Sequence, residues 1–126
     1  MKNKILEKSK ISGREILQKK IIDMPEKPGV YRMLGYKKNV LYVGKAKNLK
    51  KRLLSYLRPT GNNNRITKMI SLINDVEITI TETEMDALLL ELNLIKEKKP
   101  RYNIMLRDDK TFPYIFISSE HDFPRL

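Results

Sequence analysis

The stretch Pro28-Gly29-Val30-Tyr31-Arg32-Met33-Leu34-Gly35-Tyr36-Lys37-Lys38-Asn39-Val40-Leu41-Tyr42-Val43-Gly44-Lys45-Ala46-Lys47-Asn48-Leu49 decides the fold. Val30 to Leu34 and Val40 to Gly44 are rich in β-forming residues, and Gly35 to Asn39 between them reads as a five-residue hairpin loop. The two strands are expected to be adjacent and antiparallel. Each carries a tyrosine, Tyr31 and Tyr42, next but one to a glycine, Gly29 and Gly44.

Outward from the hairpin the pattern changes from strand to helix. Asn48 is placed to cap a helix from Leu49 to Leu57, in which Leu49, Leu53 and Leu57 recur every four residues beside Lys50, Lys51, Arg52 and Arg58. After a loop from Pro59 to Asn63, Ile66, Met69, Ile70 and Ile73 predict a helix over Arg65 to Ile73. Val76 to Thr81 then alternates like a strand covered on one face. Thr83 and Asp86 open a helix to about Lys98, which Pro100 ends. Its near-continuous apolar residues, Ala87, Leu88, Leu89, Leu90, Leu92, Leu94 and Ile95, predict burial on several sides. Arg101 to Leu106 reads as irregular or a short strand, Arg107 to Lys110 as a turn, and Tyr114 to Ser118 as a last strand.

Toward the N-terminus, Ser12 and Glu15 have capping-box spacing, and Ile11 and Ile16 suit a hydrophobic staple, so a short helix is expected from about Gly13 to Ile22. Met24-Pro25-Glu26-Lys27-Pro28-Gly29 breaks it, and the compact domain is expected to start there. The fold class is α/β: a small three-stranded, mainly antiparallel sheet flanked by helices.

Composition narrows the chemistry. At 126 residues and 40% hydrophobic content the chain suits one domain with one modest core. Its apolar runs are far shorter than the roughly 18 residues of a membrane span, and the start, MKNKILEKSK, lacks the apolar stretch of a secretory signal, so a cytoplasmic address and no membrane partner are expected. With no cysteine, thiolate nucleophiles and Cys-ligated zinc are excluded, and with His121 as the one histidine, histidine-based triads and clusters are implausible. Catalysis must use Tyr, Lys, Arg, Asp or Glu.

The formal net charge is +11, and it is unevenly spread. Residues 1–63 hold 17 basic and 4 acidic side chains, against 9 and 11 in residues 64–126. From Lys27 to Asn74 there are twelve Lys or Arg and no acid, which gives a field attractive to phosphate. Lys45 and Lys47 lie just past the second tyrosine strand, and Arg52 on the next helix. Cations grouped near a phenol would lower its pKa and let it take a proton from water near neutral pH. Arg52 and Tyr56, four apart, share a helix face and could reach one phosphate. Glu91, set among leucines, is either part of an exposed polar stripe or a carboxylate that needs a cation or metal to offset its burial.

Pro28-Gly29-Val30-Tyr31, then Leu41-Tyr42-Val43-Gly44-Lys45-Ala46-Lys47-Asn48-Leu49 with Arg52, resembles the signature of the GIY-YIG endonucleases, with Val for Ile in both halves. More narrowly, the run from Glu84 through Leu88-Leu89-Leu90-Glu91 to Lys96, followed by Pro100-Arg101-Tyr102-Asn103 and Leu106 to Lys110, resembles the N-terminal part of the UvrC family of excinucleases. The resemblance implies that Tyr42 is the general base, with Tyr31 and Lys45 tuning it, that Arg52 stabilises the scissile phosphate, and that Tyr56 assists. It implies Glu91 as the lone protein ligand of Mg²⁺ or Mn²⁺, Asn103 as a wall of the site, and Lys47, Lys50 and Lys51 as further DNA contacts. The implied organisation is an N-terminal helical extension over residues 1–23, a nuclease domain over 24–106, and the truncated start of a following segment over 107–126.

The implied function is the 3′-side incision of damaged double-stranded DNA in nucleotide excision repair, after loading by UvrB. The family continues with a UvrB-binding segment, a second, RNase H-like nuclease half and a helix-hairpin-helix region, so this chain is expected to be a fragment or truncated product that meets UvrB through the full-length protein. Two alternatives stand beside this reading: a catalytically silent DNA-binding module, and another GIY-YIG structure-specific nuclease.

Overall fold

The computed structural model describes residues 11–58 and 63–107. Element order is α1 (Gly13–Ile22), β1 (Gly29–Leu34), a short 3₁₀ turn (Tyr36–Lys38), β2 (Val40–Ala46), α2 (Leu49–Ser55), α3 (Asn64–Ser71), β3 (Asp75–Ile80), α4 (Glu84–Lys98) and α5 (Arg101–Arg107). The sheet order is β2-β1-β3, with both pairings antiparallel. Tyr31 stands opposite Gly44 on β2 and opposite Ile78 on β3.

Alternation along the strands divides the side chains between two cores. Tyr31, Met33, Leu41 and Tyr42 join Leu17 and Ile21 of α1, Leu49 and Leu53 of α2, Ile66, Met69 and Ile70 of α3, and Tyr102 and Leu106 of α5 in the larger one. Val30 and Val43 pack against Ala87 of α4 in a smaller one. Local signals fix the helix starts. Ser12 and Glu15 form the expected capping box, and Asn48, Asn63 and Thr83 each accept a hydrogen bond from the backbone of the helix they open.

Three expectations are corrected. Arg101 to Leu106 is neither irregular nor a strand; it forms helix α5. Lys99 adopts a left-handed conformation that ends α4, and the Pro100 carbonyl accepts from the Asn103 and Ile104 N–H groups, so the proline that stops one helix starts the next. Tyr102 and Leu106, four apart, turn into the core. Second, α4 is not covered on several sides. Met85, Leu89 and Leu92 are exposed, because α1, α2 and α3 pack on the other sheet face and leave α4 a single surface to cover. Third, α2 ends at Ser55, and Tyr56 caps it. The expected turn over Arg107 to Lys110 lies outside the described residues except for Arg107, which is helical, and the strand over Tyr114 to Ser118 lies wholly outside them.

Helix α1, expected as an extension before the compact domain, contributes two core side chains. Leu17 is fully buried and Ile21 nearly so, while Arg14 donates to the Leu57 carbonyl and Lys20 pairs with Asp75 at 2.7 Å. Leu17→Ala should therefore destabilise the domain by about 2–5 kcal/mol, as for other core truncations. Urea unfolding checks this, and a loss below about 1 kcal/mol would make α1 a separable extension.

Candidate active site

The site grows from the β1–β2 hairpin. Because Tyr31 pairs with Gly44, its ring leans across the neighbouring strand where position 44 has no side chain. A Cβ there would lie 2.4 Å from the Tyr31 hydroxyl oxygen. The other glycine is equally constrained, since a Cβ at Gly29 would lie 2.3 Å from the Thr79 carbonyl oxygen on β3. Each glycine thus permits a close approach that holds a tyrosine strand in place.

Below the hairpin three polar groups interlock. The Tyr31 and Tyr56 hydroxyls are 2.7 Å apart and hydrogen bonded, Arg52 Nε donates to the Tyr31 hydroxyl at 3.3 Å, and Arg52 Nη2 donates to the Tyr56 hydroxyl at 3.3 Å. The guanidinium also lies 5.0 Å from the Tyr56 ring centroid. Tyr42 joins through its ring, 6.2 Å from that of Tyr31. All three tyrosines are buried.

Burial sets the protonation states. The Tyr31 phenol is pushed well above its ordinary value, first by burial and then by Tyr56. The same holds for Tyr42, where burial acts first, then Tyr56 and Tyr31, with Arg52 pulling down and Glu91 pushing up. The expectation that grouped cations would lower this phenol is thereby corrected: loss of solvent and two further phenols outweigh one buried guanidinium. Arg52 is held firmly protonated, most by Tyr56 and then by Tyr31.

Glu91 reaches this centre from α4. Its carboxylate takes a hydrogen bond from the Lys45 backbone N–H, and burial pushes its pKa up to about 7, against the charges of Lys45 and Arg52. The exposed-stripe alternative is overturned for this residue. Among the described residues no three His, Cys, Asp or Glu side chains cluster to hold an ion alone. One half-buried carboxylate does fit Mg²⁺, which keeps several waters and binds through one or two carboxylates and substrate phosphates.

The remaining candidates divide. Asn103 is buried; its Oδ1 accepts from the Val43 N–H at 2.8 Å and its Nδ2 donates to the Val43 carbonyl at 2.9 Å. Its amide is therefore committed to β2 between Tyr42 and Gly44, where it holds the strand. Lys47 is exposed and lies 3.8 Å from Glu84, while Lys50 and Lys51 sit in the first turn of α2, half-buried and exposed respectively. Sequence reasoning missed two participants, the Lys45 backbone N–H and the Val43 peptide. Backbone atoms have no residue-type signature, so no sequence signal marks them.

A two-tyrosine hairpin over a half-buried arginine, with one carboxylate brought in by the long helix, defines the class: a GIY-YIG endonuclease domain. Residues 27–104 match the UvrC-like GIY-YIG domain model, and the chain belongs to that family. It is 52% identical over 120 residues to UvrABC system protein C of Bartonella henselae, covering 95% of this chain and 18% of that protein. To the protein of the same name from Rhodopseudomonas palustris it is 56% identical over 114 residues, covering 90% and 16%. The chain thus spans less than a fifth of these relatives. The crystal structure of the GIY-YIG N-terminal endonuclease domain of UvrC from Thermotoga maritima, bound to its catalytic magnesium, matches at TM-score 0.63 and 38% identity, over 68% of this chain and 93% of that one.

The raised Glu91 pKa carries a stability consequence. Between its ordinary 4.5 and about 7 the folded domain keeps a proton that the unfolded chain has released, so stability of the metal-free domain falls as pH rises through this window. Glu91→Gln should flatten that slope and, above pH 7, leave the domain as stable or more stable, by on the order of 2 kcal/mol. Melts in chelator from pH 5 to 8 check this. Parallel slopes, or a large loss of stability in the variant, would make Glu91 an ion-pair partner instead.

Proposed function

We propose that this chain is the catalytic domain for the 3′-side incision of damaged double-stranded DNA in nucleotide excision repair, acting in the cytoplasm within a UvrABC system and meeting UvrB through the full-length protein. The observation that carries the reading is the interlock of Tyr31, Tyr56 and Arg52 beside Tyr42 and Glu91. It brings a permanent cation, a set of phenols and a carboxylate together in a chain of net charge +11, the groups needed to hydrolyse a phosphodiester without histidine or cysteine.

In this mechanism Arg52 meets the scissile phosphate and stabilises the charge that develops on it. Its two hydrogen bonds to tyrosine hydroxyls fix the guanidinium before substrate arrives, so little reorganisation accompanies reaction. Tyr56 and Tyr31 do this orienting. Burial keeps the Tyr42 phenol neutral in the metal-free domain, so its role as acceptor of the proton of the attacking water would require the positive charge of a bound divalent ion in addition to that of Lys45. Glu91 would hold the divalent ion, Mg²⁺ or Mn²⁺. When bound, that ion polarises phosphoryl oxygens and supplies positive charge beside the phenols. Lys47, Lys50 and Lys51 position the DNA backbone, and Asn103 contributes through the strand it fixes.

The test is a nicking assay on a lesion-bearing duplex loaded with UvrB, with and without Mg²⁺. A metal-dependent nick on the 3′ side of the lesion supports the proposal; DNA binding with no cleavage under any metal would favour a silent binding module, and cleavage at an unrelated structure would favour another GIY-YIG nuclease. Tyr42→Phe should abolish the nick while leaving DNA affinity within a few-fold, because only the hydroxyl is removed. Wild-type rates in that variant would sink the base assignment. Lys50→Ala with Lys51→Ala should weaken binding to all sequences alike and reduce the slope of log affinity against log salt by about 1–2, read by titration at several salt concentrations.

A further inference from the structure

The tip of the β1–β2 hairpin has an unusual composition. The Gly35 N–H donates to the Asn39 carbonyl at 2.7 Å, and the Asn39 N–H donates to the Tyr36 carbonyl at 3.1 Å. The second bond closes a four-residue turn whose central residues are Lys37 and Lys38, with φ of 54° and 61°. Positive φ at both central positions matches the twist of the flanking strands, and Asn-Gly is the preferred pair there because a Cβ is strained in that conformation. The chain instead places two lysines at these positions, where a side chain is strained. Strain of this kind persists where another requirement selects the residues.

The surroundings show what that requirement is. Tyr36, Lys37 and Lys38 are all exposed, and the Lys37 ammonium lies 5.4 Å from the Tyr36 ring centroid. The acid beside the tip is Asp75 at the start of β3, already paired with Lys20 at 2.7 Å and also within the field of Lys38. One carboxylate therefore serves two ammonium groups, and positive charge remains in excess. The tip follows Leu34, four residues along β1 from the Val30–Lys45 pair near Glu91. Four residues of strand span about 13 Å, and the turn carries Lys37 and Lys38 further, to on the order of 20 Å, roughly six base-pair steps of duplex.

We propose that Lys37 and Lys38 form a second phosphate contact, holding the DNA backbone about six base pairs from the scissile phosphate, with the Tyr36 ring steadying the Lys37 ammonium. The proposal deepens the nuclease reading above and rests on it. Turn strain and cationic character are retained together because the tip grips the substrate outside the cutting centre, adding affinity without reading sequence.

The test compares three variants of the full chain on a duplex of about 30 base pairs, by thermal melting and by titration across salt. K37N/K38G gives the turn its preferred residues and removes both charges; K37R/K38R keeps charge and strain; K96Q/K98Q removes the same charge from exposed positions on α4. K37N/K38G should melt higher than wild type yet bind about five- to tenfold more weakly near 0.1 M salt, with a salt slope reduced by about 1–2. K37R/K38R should bind like wild type, and K96Q/K98Q should lose clearly less affinity than K37N/K38G. Wild-type affinity and slope in K37N/K38G, or an equal loss in K96Q/K98Q, would overturn the second contact while leaving the nuclease reading intact. A wild-type chain with no salt-dependent duplex binding would overturn both.

Discussion

The Tyr31 phenol lies over a backbone position that has no side chain. Its ring and hydroxyl occupy the space that any Cβ at Gly44 would need. That overlap fixes the pairing of β1 with β2, because a slip by one residue would set the ring against Val43 or Lys45. It also fixes where the hydroxyl sits, and from there Tyr56 and Arg52 are located by hydrogen bonds. The glycine of the second strand is therefore a spatial requirement of the tyrosine of the first. Helix α2 follows β2 after a two-residue connection, which leaves Arg52 little freedom to be anywhere else.

The electrostatics of the centre follow from the same packing. Three tyrosine rings crowd one guanidinium where water is largely removed, so the Tyr31 and Tyr42 phenols stay neutral and the guanidinium stays charged. Glu91 stands at the edge of this volume with a pKa near neutrality, where burial is opposed by the Lys45 backbone N–H and by the charges of Lys45 and Arg52. A carboxylate so balanced responds strongly to any added positive charge, since small changes around pH 7 alter its protonation.

The hairpin, the capping residues and most element boundaries were legible in the sequence because they rest on local chemistry: Asn48 and Thr83 as caps, β-branched alternation, and Pro100 as a stop. What was not legible depends on tertiary neighbours. The apolar run of α4 implied burial all round, yet Leu89 and Leu92 are exposed, since periodicity shows which faces are apolar and not how many elements are available to cover them. Pro100 read as an end, and its second role as the start of α5 appears only when Tyr102 and Leu106 find the core. Tyr31, Tyr42, Arg52 and Glu91 were legible as candidates through motif resemblance. The direction of the Tyr42 pKa was not, because a list of nearby cations carries no information about excluded water.

Asn103 has a consequence for association. In the order β2-β1-β3, β2 is a sheet edge, and edge strands offer unpaired N–H and C=O groups to any passing strand. The Asn103 amide meets both groups of Val43 in the way a neighbouring strand would, donor to acceptor and acceptor to donor. An incoming chain finds that pair already taken, in the middle of the edge. One side-chain amide thus caps the middle of the β2 edge laterally, beside the strand that carries Tyr42.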